Sequence, residues 1–205
     1  VDILGEMPGL MPNREWKKKV YNIRWFPGET ILTGIGQGYS LITPMQLAAA
    51  TSILANNGSR LQPMLVRGVE ESSTGEYQLL PPRVLQRITD IKPENMEYVK
   101  RAMMRVVHSN TGSARGISYG LKYKIAGKTG TAQVFGIKED EEYNAEELEK
   151  RLRDHALFIA YAPIEDPQIA LALIVENGGG GGSVAAPIAR KVIDKFMQKQ
   201  LRTRP

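Results

Sequence analysis

Residues 155–176 constrain the fold more than any other stretch of this chain. Leu157, Ile159 and Tyr161 alternate with Phe158, Ala160 and Ala162, and Ile169, Leu171, Leu173 and Val175 alternate with Ala170, Ala172 and Ile174. Alternation with a period of two marks a strand. Glu165-Asp166-Pro167 joins the two runs too tightly for a crossover helix, so they close as an antiparallel hairpin. The small residues on one face leave room for a packed helix. A strand-like segment at 124–135 precedes the hairpin. A helix at 183–201 follows it, with Ser183 as its cap and Ala185, Ile188, Val192, Ile193, Phe196 and Met197 as its apolar stripe. The class implied is α+β, an antiparallel sheet with flanking helices.

The remaining elements read as parts of the same domain. Residues 1–42 are rich in Gly and Pro and read as a loop-rich lead-in, with one short helix starting near Asn13. A helix at 43–58 has strong end signals. Thr43 is a good N-cap, Pro44 suits the first turn, Gln46 completes a capping box, and Gly58 can end it. It is apolar almost all round, which predicts a buried helix. Residues 61–88 read as short strands and turns, with Ser72-Ser73-Thr74-Gly75 as a hairpin tip. A helix at 93–108 carries Met96, Val99, Met103 and Val106 at helical spacing. Between the first and second strands of the sheet lies a charged insert, 136–153, expected to hold a short helix over 144–153. Gly178 to Gly182 reads as a flexible turn before the last helix.

Composition removes several function classes. The chain of 205 residues has no cysteine, which excludes disulfides and thiolate zinc sites. His108 and His155 lie far apart with no visible ligand cluster, so neither a metal nor a cofactor is expected. The net charge of +5 is mild. Its basic clusters, Arg14 with Lys17, Lys18 and Lys19 and the residues after Arg190, read as solvated faces. No nucleic-acid-binding motif accompanies them. No apolar run reaches the length of a membrane span, and the opening residues do not read as a signal peptide. The chain opens at Val1 inside apparent loop, without an initiator methionine, so the expectation is a piece of a longer protein whose anchor lies upstream.

Gly127-Lys128-Thr129 resembles the end of a phosphate-binding loop, but that loop requires a glycine where Lys122 stands. It should also open a helix, whereas Thr131-Ala132-Gln133-Val134-Phe135 favours a strand. Read as a strand, the segment makes different chemical sense. Thr129 and Thr131 share one face, so both hydroxyls can bind a carboxylate. Gly127 and Gly130 let a ligand backbone lie close. On an edge strand, free N–H groups can pair with an extended peptide, and one can donate to an oxyanion. Lys128 adds a positive charge.

Lys-Thr-Gly belongs, with S-x-x-K and S-D-N, to the motif set of penicillin-binding proteins and related β-lactamases. The context strengthens the match. Gly34-Ile35-Gly36-Gln37-Gly38-Tyr39-Ser40 and Thr43-Pro44-Met45-Gln46-Leu47-Ala48 resemble the stretch upstream of that strand in class B penicillin-binding proteins. Ile125 to Gln133, Asp154 to Phe158 with Ala162-Pro163, and Ser183-Val184-Ala185-Ala186-Pro187 resemble the later blocks, in order. Met11 to Trp16, Gln133 to Gly136, Tyr143-Asn144-Ala145, Arg151 to His155 and Glu176 to Gly179 resemble the elongation-type branch, penicillin-binding protein 2, more than the division type.

The resemblance implies the C-terminal part of a transpeptidase domain with a partial penicillin-binding/β-lactamase-like fold. It implies a serine enzyme that cross-links peptidoglycan stem peptides during cell-wall elongation and is acylated by β-lactams. Lys128 would support the proton network at the serine as a catalytic residue. Thr129, Gly130 and Thr131 would bind substrate, and the Thr131 N–H would form half of the oxyanion hole. No serine of the chain has a lysine three positions on, and none begins S-x-N, so the nucleophile is absent and the chain alone should be inactive. The implied partners are stem peptides, β-lactams, the upstream half of the same domain, and the membrane glycan polymerase of the elongation machinery. The implied location is the inner membrane, with the catalytic domain in the periplasm. A division-type relative and a non-catalytic β-lactam-binding sensor are the alternatives. His155, beside Asp154, reads as structural. The insert at 136–153 reads as a flap over the groove.

Overall fold

A computed structural model of the chain describes residues 5–133 and 150–203. Asn13 opens the first helix, α1 (Arg14–Tyr21), by accepting from Trp16 N at 2.7 Å. A second helix, α2 (Pro27–Gly34), stands where the sequence reads as loop. Pro27 presets the first turn, and Glu29 reaches back to accept from Phe26 N at 2.7 Å. This half of a capping box works without a capping side chain at 26, so the usual Ser/Thr signal is missing. Lys17 ties the two helices together. It is 4% exposed, pairs with Glu29, and lies 4.7 Å from the centre of the Phe26 ring. It is therefore not part of a solvated face: its ammonium is held by an ion pair and a ring. The Glu29 carboxyl is lowered, chiefly by its bond from Lys17.

The third helix, α3 (Pro44–Ala55), has the expected capping box. Gln46 N donates to Thr43 Oγ1 at 3.1 Å and Thr43 N to Gln46 Oε1 at 2.9 Å. The expectation of burial all round is corrected. Only Thr51 and Ala55 of α3 are buried, and Met45 is 45% exposed. Met45, Ala49, Ala50 and Ile53 line a concavity of about 580 Å³ beside the next strands. Those are β1 (Ser59–Leu61), β2 (Gly68–Glu70), β3 (Tyr77–Leu79) and β4 (Val84–Arg87). β1 pairs with β4 and β2 with β3, all antiparallel, so the segment forms one long broken hairpin. Its tip is the Ser72–Thr74 turn. Helix α4 (Pro93–His108) buries Met96, Met103 and Val107, while Val99 is 41% exposed.

The principal sheet follows as β5 (Ala126–Ala132), β6 (His155–Ala162) and β7 (Ile169–Val175), antiparallel in the order β5-β6-β7. Direct partners share a face, so Thr129 lies beside Phe158 and Gly127 beside Ala160. On that face Phe158, Ala160 and Ala162 pack with Ala185, Ala189 and Ile193 of the chain's end. On the other face Ala126 and Tyr161 pack with Ala55 of α3 and Met103 of α4. The class is the α+β arrangement expected. The insert expected at 136–153 lies outside the described residues as far as 149, and its end forms one 3₁₀ turn, Lys150–Leu152.

The last helix departs from expectation in two ways. It begins later, as α5 (Ala186–Thr203), behind a wide π-turn at Gly181–Ala185. Ser183 does not cap it; its hydroxyl donates instead to Gly180 O at 3.3 Å. The buried line is also rotated. Ala185, Ala186, Ala189 and Ile193 are fully buried, whereas Ile188 and Val192 are 40% and 47% exposed. Alanines face the sheet because the helix approaches Phe158 and the β6 alanines closely. Arg190 is likewise no free surface charge. Its Nε donates to Asp194 at 2.6 Å and its guanidinium reaches Ile117 O and Tyr119 O. Tyr123 donates to the same carboxylate, and burial followed by Asp194 pushes its phenol far above the ordinary value.

Candidate active site

β5 carries Lys128, Thr129, Gly130 and Thr131 along one edge of the principal sheet. In an antiparallel ladder successive residues turn their N–H and C=O to opposite sides. The bonds at β5 show which way each turns. Lys124 O accepts from Ile164 N on the β6 side at 3.2 Å, whereas Ile125 N donates to His108 Nε2 on the other side at 3.1 Å. Even-numbered residues therefore bond toward β6, and odd-numbered ones face outward. Thr129 O and Thr131 O obey the same parity: they accept from Lys128 Nζ at 2.6 Å and from Gln37 Nε2 at 3.1 Å. Among the described residues no strand pairs with this outer edge. The N–H groups of Thr129 and Thr131 thus stand where an added extended peptide would meet them.

The side chains sort by face. Thr129 and Thr131 lie on the α5 face, as the alternation predicts, and Lys128 lies on the opposite face. Thr129 is half-buried and its Oγ1 is 3.0 Å from Ser113 Oγ. Two hydroxyls hold two protons, and their mutual bond uses one, so one O–H remains to donate to an anion. Thr131 is exposed and adds a second hydroxyl on the same side. Lys128 is exposed at the end of its side chain's reach to the Thr129 carbonyl. Gly127, Lys128 and Thr129 sit on a strand, so the arrangement is not that of a phosphate loop, which opens a helix.

Gly127 has a different basis from the one expected. A Cβ on Gly127 would lie 2.5 Å from Cζ of Phe158, so the core, not a ligand, excludes a side chain there. At Gly130 the nearest obstacle is Leu157 Cβ at 3.2 Å. The glycine run before α5 is not merely a flexible turn. Gly181 is buried, and a Cβ there would lie 2.5 Å from Gly130 O and 2.4 Å from Leu157 O. A Cβ on Gly182 would lie 2.1 Å from Ser113 O. This run is laid across the middle of β5 and β6 and backs the site.

Sequence reasoning missed Ser113, Gln37 and Gly181 as neighbours of the strand. Gln37 is 94 positions away from Thr131, and nothing local announces the contact. The two histidines are structural acceptors. His155 Nδ1 accepts from Asn177 N at 2.9 Å, and Asn177 Nδ2 donates to Arg151 O at 3.0 Å and Arg153 O at 2.9 Å. Together these bonds fasten the start of β6 to the turn after β7. His108 joins the end of α4 to the start of β5; burial, then the nearby Lys124 charge, lowers its basicity below the ordinary value. Among the described residues no group of His, Asp and Glu could hold a metal ion.

Comparison with known proteins adds the family. The model of the penicillin-binding protein transpeptidase domain matches residues 1–194. The peptidoglycan D,D-transpeptidase MrdA of Haemophilus influenzae is 44% identical over 201 residues, which cover 98% of this chain and 31% of that protein. A crystal structure of Pseudomonas aeruginosa PBP2 in complex with WCK 5153 is 42% identical with a TM-score of 0.78, covering 96% of this chain and 40% of the other. A complex between PBP2 and MreC from Helicobacter pylori is 26% identical to this chain with a TM-score of 0.72, covering 95% and 32%. The chain thus spans about a third of the length of the relatives it matches.

Proposed function

Since the chain belongs to the family of penicillin-binding protein transpeptidase domains, we propose that it supplies the Lys-Thr-Gly wall of a serine-type peptidoglycan D,D-transpeptidase of the elongation type. The observation that carries this reading is the outer edge of β5, with backbone donors facing outward, Thr129 and Thr131 on one face and Lys128 on the other. An acyl-transfer site needs this combination. An extended peptide must be aligned, its terminal carboxylate held, and charge on the attacked carbonyl oxygen stabilised.

The chemistry follows in steps. A serine of the parent protein, outside these 205 residues, attacks the carbonyl of the penultimate D-Ala of a stem peptide. The carbonyl oxygen takes the negative charge and accepts from Thr131 N–H. Thr129 and Thr131 hydroxyls bind the terminal carboxylate. Lys128 stabilises the negative charge of the site and supports proton movement to the departing D-Ala nitrogen. The peptide C–N bond breaks, D-Ala leaves, and an amine of a neighbouring strand attacks the acyl ester. The amine loses a proton, and the serine recovers one. A β-lactam follows the first half of this path: its ring amide opens onto the serine and stays as an ester.

The partners of the parent in this reading are stem peptides, β-lactams, the rest of its own domain and a membrane glycan polymerase. The site faces the periplasm, and the parent is anchored in the inner membrane. Among the described residues no helix is long and apolar enough to cross a membrane. Labelling with a fluorescent penicillin tests the function. The full-length parent should take one covalent label that benzylpenicillin blocks, and the 205-residue chain should take none. Acylation of any serine of the isolated chain, found by mass spectrometry, would refute the assignment, and so would an unlabelled parent.

A further inference from the structure

We propose that Gln37 competes with the substrate for the carbonyl of Thr131 and thereby sets how strongly the groove favours ligands with an amide N–H beside the reacting carbonyl. The inference rests on the transpeptidase reading above. It starts from the ladder geometry of β5. Thr131 faces outward with both its N–H and its C=O. A residue of an added antiparallel strand opposite it would exchange both bonds with it: ligand C=O from Thr131 N–H, and ligand N–H to Thr131 O. If Thr131 N–H serves the oxyanion, the ligand residue opposite Thr131 is the one that is acylated. Its own N–H then needs Thr131 O. That oxygen already accepts from Gln37 Nε2 at 3.1 Å. A primary amide is a close chemical copy of the peptide N–H it stands in for.

The contact is built so that only the side chain has to move. Gly36 and Gly38 both have left-handed backbones, with φ of 80° and 86°. Gly36 N donates to Thr33 O at 3.1 Å and Gln37 N to Leu32 O at 2.9 Å, which anchors the backbone of residues 36 and 37 on the end of α2. From that fixed base the Gln37 side chain spans to β5. A rotamer change frees Thr131 O without disturbing α2 or the sheet. Gln37 is thus a specificity-determining residue that acts by competition, and its loss should help a ligand that carries the N–H while leaving other ligands unaffected.

The test uses the purified full-length parent and two β-lactams. Benzylpenicillin has an acylamino N–H on the carbon next to the lactam carbonyl; a carbapenem has a hydroxyethyl group there instead. Second-order acylation rates are measured for the wild type, Gln37→Ala and Gln37→Glu, the last keeping the shape but removing the donor. The ratio of the benzylpenicillin rate to the carbapenem rate should rise about two- to tenfold in both variants, the span of one neutral hydrogen bond. An unchanged ratio, or a lower one, overturns the inference, since a merely supporting role for Gln37 would slow both probes alike. Should Gln37→Ala fail to fold, Gln37→Glu decides. A wild-type parent that neither probe acylates refutes the transpeptidase reading itself, and this inference with it.

Discussion

Gly181 offers the sharpest check on the link between packing and chemistry. A methyl group at this position would meet Leu157 O at 2.4 Å, Gly130 O at 2.5 Å and Gly130 N at 3.0 Å. All three are backbone atoms in the middle of β5 and β6, so no side chain can swing aside. Ordinary contact starts at 3.4 Å, and moving from 2.4 Å to that distance requires a shift of 1.0 Å. Overpacking of this kind costs about 1–3 kcal/mol. For a unit of about 150–250 residues that corresponds to a melting temperature lower by roughly 2–4 °C for each kcal/mol, and for the longer parent to a smaller shift. The displacement falls on the Gly130 peptide, next to the Thr131 N–H assigned to the oxyanion. Misplacement by about 1 Å can cost about a hundredfold in rate. Gly181→Ala in the full-length parent should therefore lower both the melting temperature and the rate of fluorescent-penicillin acylation, the rate by far the more. Gly116→Ala is the control, because a Cβ there meets nothing within 4 Å. If Gly181→Ala melts and acylates like the wild type, the turn before α5 does not brace the strand and the reasoning fails.

Two further outcomes are expected. Asn177 has a left-handed backbone with φ of 55° and its amide donates to Arg151 O and Arg153 O. Asn177→Ala should destabilise the parent by about 1–3 kcal/mol in denaturant titration, and Asn177→Gly by less, since glycine relieves the backbone but not the lost bonds. His108 gives a pH dependence. Its folded-state basicity lies below the ordinary value of 6.5, because burial and then the Lys124 charge disfavour the charged form. The unfolded chain takes up the proton first as pH falls, so the contribution of His108 is present above 6.5 and is lost as pH drops through the folded value. Thermal melts of wild type and His108→Gln between neutral pH and pH 5 should converge toward the acid end; a constant gap would refute this role.

What could be read from the sequence follows from where each signal resides. Helix α3 was legible at its N-terminus because Thr43, Pro44 and Gln46 act within one turn of each other. The strands β6 and β7 were legible because alternation is a local pattern, and the same parity correctly put Thr129 and Thr131 on one face. Helix α2 was not, since Phe26 carries no capping oxygen and the reciprocal half supplied by Glu29 is silent without it. Facing was harder than existence. Ile188 and Val192 look like core by hydrophobicity, yet the helix sets its small Ala185, Ala186 and Ala189, with Ile193 farther along, against the sheet. No propensity encodes that clearance; it depends on Phe158, which arrives from another element.

The same distinction governs the site. Lys128, Thr129, Gly130 and Thr131 are one contiguous run, so the motif announces itself. Ser113, Gln37 and Gly181 reach it from three separate elements, and each acts through a bond or a clearance that exists only after folding. The glycines show how far this changes the meaning of the motif. Read along the sequence, Gly127 is space left for a ligand; folded, that space is filled by the Phe158 ring. Gly181, read as slack, touches the backbone of the very strand that would bind substrate. The edge of β5 is therefore held from behind by residues without side chains, and its carbonyls are occupied in front by Lys128 and Gln37. A strand braced in this way can offer its outward N–H groups at fixed positions, which is the condition for stabilising an oxyanion without reorganisation during the reaction.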